Sequence, residues 1–530
     1  MRQHVVCTLV IMVLFGSTPI LPQDGATGGQ WPTYGGDHGS TKYSPLNQIN
    51  GETVKNLKVV WQWNSPDNEI VTEHRADLPI LPFSFKATPI MVEGVLYIKT
   101  SMSQAAAIDA KTGETLWVFD PGTWEGQSPA NTGFNSRGVA YWSDGLNSRI
   151  FLPTGDAYLY ALDARTGRPV ADFGADGAVD ATQGLRRPIP RRDYQLMSAP
   201  IVVGDVVVIG SVVFDGPRYQ LAPPGDIRGF DVRTGEELWE FHTIPQPGEF
   251  GNDTWENDSW RDTGATNAWG MLTADPELGF VYVPTGTPTN DWYGGHRPGD
   301  NLFAESIVCL DAKTGEKVWS ALNGVQTYST PVLFNLLGRE QLIVSLKDKM
   351  AAINPNDGKL LWSHPWKIFM NNNNIAQPTR LADDILLISA GYGTGAEAFR
   401  IISENGSIRT ESLWKSKSLK TKFSSPIFWK GHLYGLNENR LACLDAKDGS
   451  LKWRGDKYGY GQLIAASGHL IILGDAGDLV LVEMNPSKFV EKANFKALQG
   501  GRTWNYPALA NGLLFVRNSY EMACFDVRKK

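Results

Sequence analysis

Short apolar runs split by tight polar turns recur along most of the chain. PIMVEGVLYI (89–98), PIVVGDVVVIG (200–210) and IAASGHLIILG (464–474) each read as two strands joined at a Gly-containing turn. A further strand follows each pair, then a turn of the form Asp-x-x-Thr/Asp-Gly, then a strand carrying Trp. The full copies are Asp109–Trp117 (DAKTGETLW), Asp231–Trp239 (DVRTGEELW), Asp311–Trp319 (DAKTGEKVW), Asn354–Trp362 (NPNDGKLLW) and Asp445–Trp453 (DAKDGSLKW). Weaker copies are DARTG at Asp163–Gly167, followed by Phe173; Ser403–Trp414 (SENGSIRTESLW); and a degenerate one near Glu483. In each turn the Asp caps its own backbone two residues on, and the Gly takes the left-handed position.

The unit this predicts is a four-stranded antiparallel meander with a Trp on its outer strand, placed to wedge against the next unit. Such sheets cannot cover their own faces and stack radially, so the fold class is all-β, a β-propeller. Nine units are counted if the last, WNYPALANGLLFVRNSYEMACFDV (504–527), is completed by an early strand within NLKVVWQW (56–63) that closes the ring. The first four turn phrases lie 54, 68 and 80 residues apart, well beyond a bare four-strand repeat, so long loops are inserted there. Loops carry function in propellers, which places the chemistry within residues 30–320.

Composition supports a globular reading: 42% of the 530 residues are hydrophobic and 20% charged. The net charge of −7, with no basic block, excludes a nucleic-acid partner. Residues 1–29 read as a signal peptide and leader, with Arg2 before the apolar run VVCTLVIMVLFG (5–16). Export to the periplasm or exterior is expected, with no membrane span after the signal. Cys309, Cys443 and Cys524 stand at one repeat position (VCLD, ACLD, ACFD) and read as buried strand residues. Hydrolase and nucleotide-binding motifs are missing.

The phrases WPTYGGDHGSTKYSPLNQI from Trp31, SRGVAYW (136–142), GLRRPIPRRDY (184–194), TIPQPGEFGNDTWENDSW (243–260) and TGTPTNDWYGGHRPGDN (285–301) occur in this order. Together they resemble the quinoprotein alcohol and sugar dehydrogenases, which use pyrroloquinoline quinone (PQQ), over residues 31–319. From about 325 onward the chain resembles compact PQQ-like repeats of outer-membrane assembly scaffolds, giving one propeller (30–530) with a loop-rich half and a compact half (320–530). The resemblance implies eight blades, PQQ held over the channel, and a calcium ion beside it.

Carried over residue by residue, the resemblance implies cofactor-binding roles for Arg137, Thr154, Ser211 and Trp269, the last as the floor under the planar quinone. Lys86 (KATP) stands where the family has a pocket Glu, and Thr287 where it has a metal-binding Asn. The family's paired Cys fall on Asn131 and Thr132. The catalytic Asp expected soon after Trp319 is absent from SALNGVQTYSTPVLF, leaving the catalytic base unassigned among Asp215, Asp291 and Asp300. Arg186, Arg187, Arg191 and Arg192 read either as an anion site or as a salt-bridged loop, and His296 as a turn-fixing residue. Two functions stay open. One is a PQQ-dependent oxidoreductase acting on an alcohol or sugar, with a quinone or cytochrome as external electron acceptor. The other is a non-catalytic propeller serving as a ligand-binding or assembly scaffold.

Overall fold

The computed structural model describes residues 26, 28–38, 58–82, 87–126, 129, 133–216, 221–290, 293–322, 327–368 and 374–528. Lys86, Asn131, Thr132, Asp291 and all but Ala26, Gly28 and Gly29 of the leader lie outside them. Among the described residues, nine four-stranded antiparallel sheets follow one another in chain order. Blades 1–4 span 90–119, 140–180, 201–241 and 273–321; blades 5–8 span 332–365, 379–416, 427–457 and 462–496. Blade 9 combines three strands within 508–526 with Val59–Asn64, whose Asn64 pairs with Glu521 and Val59 with Phe525. The eight blades implied by the resemblance are thus corrected to nine, because every counted repeat forms its own sheet.

The repeated Trp locks six of the nine blades to the next. Trp61, Trp117, Trp239, Trp319, Trp414 and Trp453 donate their indole N–H to Ala110, Ala164, Ala312, Pro355, Ala446 and Asn485 carbonyls at 2.7–3.1 Å. Each acceptor lies in the turn of the following blade. The turn Gly is needed where it lies under the indole: a Cβ on Gly315, at φ +70°, would sit 2.5 Å from Trp239. Blade 2 has no such Trp, and Phe173 packs toward Gly235 instead. Trp362 breaks the series by bonding Gln341 within its own blade at 2.7 Å. The next blade offers no matching turn, since its ten-residue strands Gly395–Glu404 and Ser407–Ser416 meet at an Asn405-Gly406 hairpin.

Cys309, Cys443 and Cys524 are fully buried on the third strands of blades 4, 7 and 9, as their repeat position predicts. No helix among the described residues is long and apolar enough to cross a membrane.

Candidate functional site

Six connections that lead into inner strands, those of blades 2, 4–7 and 9, together with Gln462 at the start of blade 8's inner strand, contribute walls to one cavity of about 430 Å³. Only a position over the ring axis lets so many blades meet. Seven aromatic residues line it: Tyr34, Trp269, Tyr328, Tyr392, Phe423, Trp504 and Tyr506. Among the described lining residues Arg137 is the single charged one, and none is a carboxylate.

Arg137 and Trp269, far apart in sequence, come together here. The guanidinium carbon stands 5.1 Å from the centroid of the Trp269 ring, close enough for a cation–π contact. Arg137 Nε is shielded from solvent and has no hydrogen-bond partner. Burial pulls its pKa down, opposed by the Tyr34 and Tyr328 phenols. Tyr328 meets Trp269 edge-on at 5.5 Å. Burial raises the Tyr34 phenol and pushes that of Tyr506 up to about 12, so both remain protonated at neutral pH. Two further cations rest on aromatic faces of the wall. Lys422 Nζ lies 4.2 Å from the Tyr392 centroid and the Arg502 guanidinium 4.4 Å from that of Trp504.

The segment carrying Trp269 is clamped by blade 3. Asn267 Nδ2 donates to the Ser211 carbonyl at 2.6 Å, and Ser198 Oγ to the Ala268 carbonyl at 3.4 Å. Gly210 permits this approach, since a Cβ there would stand 2.1 Å from the Ala268 oxygen. Ser211 is itself fully buried beside the Tyr194 phenol. Thr154 is also fully buried, its hydroxyl donating to Asp156 at 2.5 Å. Neither side chain is among those lining the cavity.

Thr287 Oγ1 donates to Glu305 Oε1 at 2.9 Å. Burial raises the Glu305 carboxyl, offset by this bond and by Arg297 and Lys347. The sequence reading passed over Glu305 because it flanks the strand Ile307–Asp311 and belongs to no motif. Asp215 is half-buried and Asp300 exposed, and neither lines the cavity. Of the arginine run, Arg186 and Arg187 donate to the carbonyls of Trp260, Asp262 and Thr263, and Arg191 pairs with Asp180. Those three pin loops together, as the salt-bridged reading holds. His296 Nε2 lies 3.1 Å from the Thr289 carbonyl, across its own turn.

Two family descriptions match this chain: "Glucose/ethanol/alcohol dehydrogenase, beta-propeller domain", of the PQQ type, over residues 31–327, and "Outer membrane protein assembly factor BamB" over 225–476. Quinoprotein glucose dehydrogenase A of Acinetobacter calcoaceticus is 34% identical over 320 residues, covering 56% of this chain and 38% of the relative. Quinohemoprotein alcohol dehydrogenase of Comamonas testosteroni is 32% identical over 308 residues, covering 54% and 38%. The matched stretch is therefore less than two-fifths of either relative's length. In fold, the crystal structure of the latter enzyme superposes with a TM-score of 0.65 at 19% identity, covering 96% of this chain and 82% of that one. A europium-containing methanol dehydrogenase gives 0.61 at 16% identity, covering 94% and 98%. With more than half its length matched, including the segments that bring Arg137 and Trp269 to the channel mouth, the chain belongs to the PQQ-dependent glucose/ethanol/alcohol dehydrogenase propeller family.

Proposed function

We propose that the channel-mouth cavity seats PQQ and that the protein is an exported oxidoreductase acting on an alcohol or sugar carbinol. The observation that carries this is the buried Arg137 guanidinium, without a carboxylate, beside the indole of Trp269. PQQ is a planar tricarboxylate, and the donor set fits it. Arg137 offers an unpaired N–H to a carboxylate or carbonyl oxygen, Trp269 offers a ring face, and Tyr34 and Tyr506 keep protonated phenols. Lys86 is part of this proposal as a second cation toward the cofactor; Thr154 and Ser211 support the wall from behind.

When bound, PQQ supplies a carbonyl carbon that accepts hydride. The protein's own part is to orient the ring, exclude water with the aromatic wall, and take the hydroxyl proton. Glu305 is the carboxylate proposed for that proton although it is not itself among the described lining residues: it accepts from Thr287, three residues beyond the lining residue Pro284, and burial raises its pKa. The calcium expected at Thr287 is not supported by the donors there. The Thr287 hydroxyl is spent on Glu305, and among the described residues Glu305 belongs to no cluster of three acidic, His or Cys side chains. No step is assigned to a metal. Electrons then pass to an external quinone or cytochrome.

Titration of the mature chain with PQQ, read by tryptophan fluorescence, tests the reading. Saturable quenching that weakens at least tenfold in Trp269→Ala is expected, followed by dye-linked turnover of alcohols or sugars. Absence of quenching at cofactor excess overturns it. The scaffold reading draws on the carboxylate-free lining and the BamB-type match over 225–476. Tight PQQ binding without turnover of any alcohol or sugar would favour it.

A further inference from the structure

A second constellation lies outside the cavity, on blade 3. The third strand Ile227–Asp231 pairs with the outer strand Glu237–Phe241 in a register that sets Ile227 opposite Phe241 and Arg228 opposite Glu240. Alternation of side chains then puts Asp226, Glu240 and His242 on one face of the sheet. One donor atom from each lies within 4.8 Å of the other two.

Two features distinguish this cluster from a solvated patch. The first is the orientation of the imidazole. His242 Nδ1 is bonded to Glu249 Oε1 at 2.7 Å, and Glu249 Oε2 is fixed by the Gln246 backbone N–H at 2.7 Å. That leaves Nε2 facing the other carboxylates, with Glu240 Oε2 at 3.5 Å. A carboxylate holding the far nitrogen of an imidazole is the usual support of a metal-bound His. The second feature is unspent oxygen. Asp226 is only 1% exposed, and its Oδ1 accepts from the Thr243 backbone at 2.9 Å. Asp226 Oδ2 and Glu240 Oε1 are buried without a hydrogen bond. The nearest cation to Oδ2 is Arg186 Nε at 3.8 Å, itself without a hydrogen bond.

We propose that Asp226, Glu240 and His242 Nε2 form a binding site for a divalent transition-metal ion, zinc foremost, with Glu249 as the supporting partner of the imidazole. One nitrogen and two carboxylate oxygens suit zinc, which takes four ligands and accepts water as the fourth. The role is structural. His242 begins the long connection that ends at Trp269 before blade 4, and Arg186 holds the loop carbonyls of Trp260 and Thr263. An ion here ties that connection to the sheet. The site stands independently of whether PQQ binds.

The untagged full-length mature protein, expressed with zinc in the medium and exhaustively dialysed, is assayed for metal by mass spectrometry. Zinc chloride alone is then titrated against the chelator-stripped protein, following the melting temperature. About one zinc per chain and a saturable rise in melting temperature are expected, both lost in His242→Gln. Glu249→Gln, which leaves all three ligands in place, should weaken zinc about 10–100-fold. Substoichiometric metal with no zinc-dependent shift overturns the proposal, as does a shift unchanged in His242→Gln. Should His242→Gln fail to fold, the Glu249→Gln affinity decides: tenfold weaker supports the site, and unchanged affinity overturns it.

Discussion

Replacing Arg137 by Met should on balance make the empty protein no less stable while impairing its ligand binding. The guanidinium is largely buried, its Nε has no hydrogen-bond partner, and no carboxylate is among the described residues that line the cavity. A buried, unsatisfied donor costs about 1–3 kcal/mol. Met keeps the length and apolar body of the side chain but drops that cost, along with a cation–π contact to Trp269 of about 0.5–2 kcal/mol. At mid-range the two leave the apo protein about 1 kcal/mol more stable, within about −1 to +2.5 kcal/mol. Binding moves the other way. A charge-assisted bond to a ligand carboxylate contributes about 1.5–3 kcal/mol, so the PQQ Kd should weaken roughly 10–150-fold. Wild type at 100 times its Kd gains about 2.7 kcal/mol from the ligand. At the same PQQ concentration the variant should gain about 0.3–1.4 kcal/mol by the same relation. Melting curves with and without PQQ, paired with fluorescence titration, measure both quantities. A variant that melts lower than wild type, yet shows the same PQQ shift, would refute the reasoning: Arg137 would then be a structural cation.

Three further outcomes are expected. Gly315→Ala should cost about 1 kcal/mol for its left-handed backbone plus about 1–3 kcal/mol for overlap with the Trp239 ring. In a Trp239→Ala background only the first part should remain, and simple additivity in denaturant unfolding would argue against the inter-blade wedge. Lys99 is 1% exposed, and burial lowers its pKa from 10.5 to about 7, with Asp156 opposing and its Nζ donating to the Leu196 carbonyl at 3.3 Å. The unfolded chain therefore binds the extra proton between these pH values, so stability should rise from pH 7 toward 10.5. Lys99→Met should remove that Lys99 contribution, and an unchanged pH profile of melting would exclude Lys99 as its source. Glu305→Gln should lower kcat roughly 10²–10⁴-fold while leaving PQQ affinity within about twofold of wild type, as steady-state kinetics beside the titration would show.

The architecture was legible because its signals are local. The Asp-x-x-Thr-Gly turn, the Trp that follows it and the paired apolar runs all fall within one blade, and the seam strand was visible as an unpartnered NLKVVWQW (56–63). The blade number was legible from the repeats themselves, whereas the resemblance pointed to eight. Beyond Arg137 and Trp269 the cavity wall was not read, because each blade contributes one or a few residues and only ring closure brings them together. A repeat-position signal existed: Tyr328 in YSTP and Phe423 in FSSP both stand three residues before the Pro that opens an inner strand, as does Lys86 in KATP. Glu305 and the Asp226–His242 pairing had no such signal. One flanks a strand, and the other depends on a sheet register that sequence spacing does not reveal.

The strand Val59–Asn64 belongs to blade 9 by its hydrogen bonds and docks on blade 1 through Trp61, which donates to Ala110 at 3.1 Å. Its partner Glu521–Asp526 lies more than 450 residues later. During synthesis the seam strand therefore emerges first and has no edge to pair with until the final blade is complete, so ring closure is the last event of folding and the most non-local one. Antiparallel pairing also brings Phe525 back beside Val59. A circular permutant with residues 59–64 relocated behind Arg528 through a short turn would make blade 9 one continuous meander. Such a chain should fold faster while keeping the same ring, which assigns the native order a kinetic cost without a structural one.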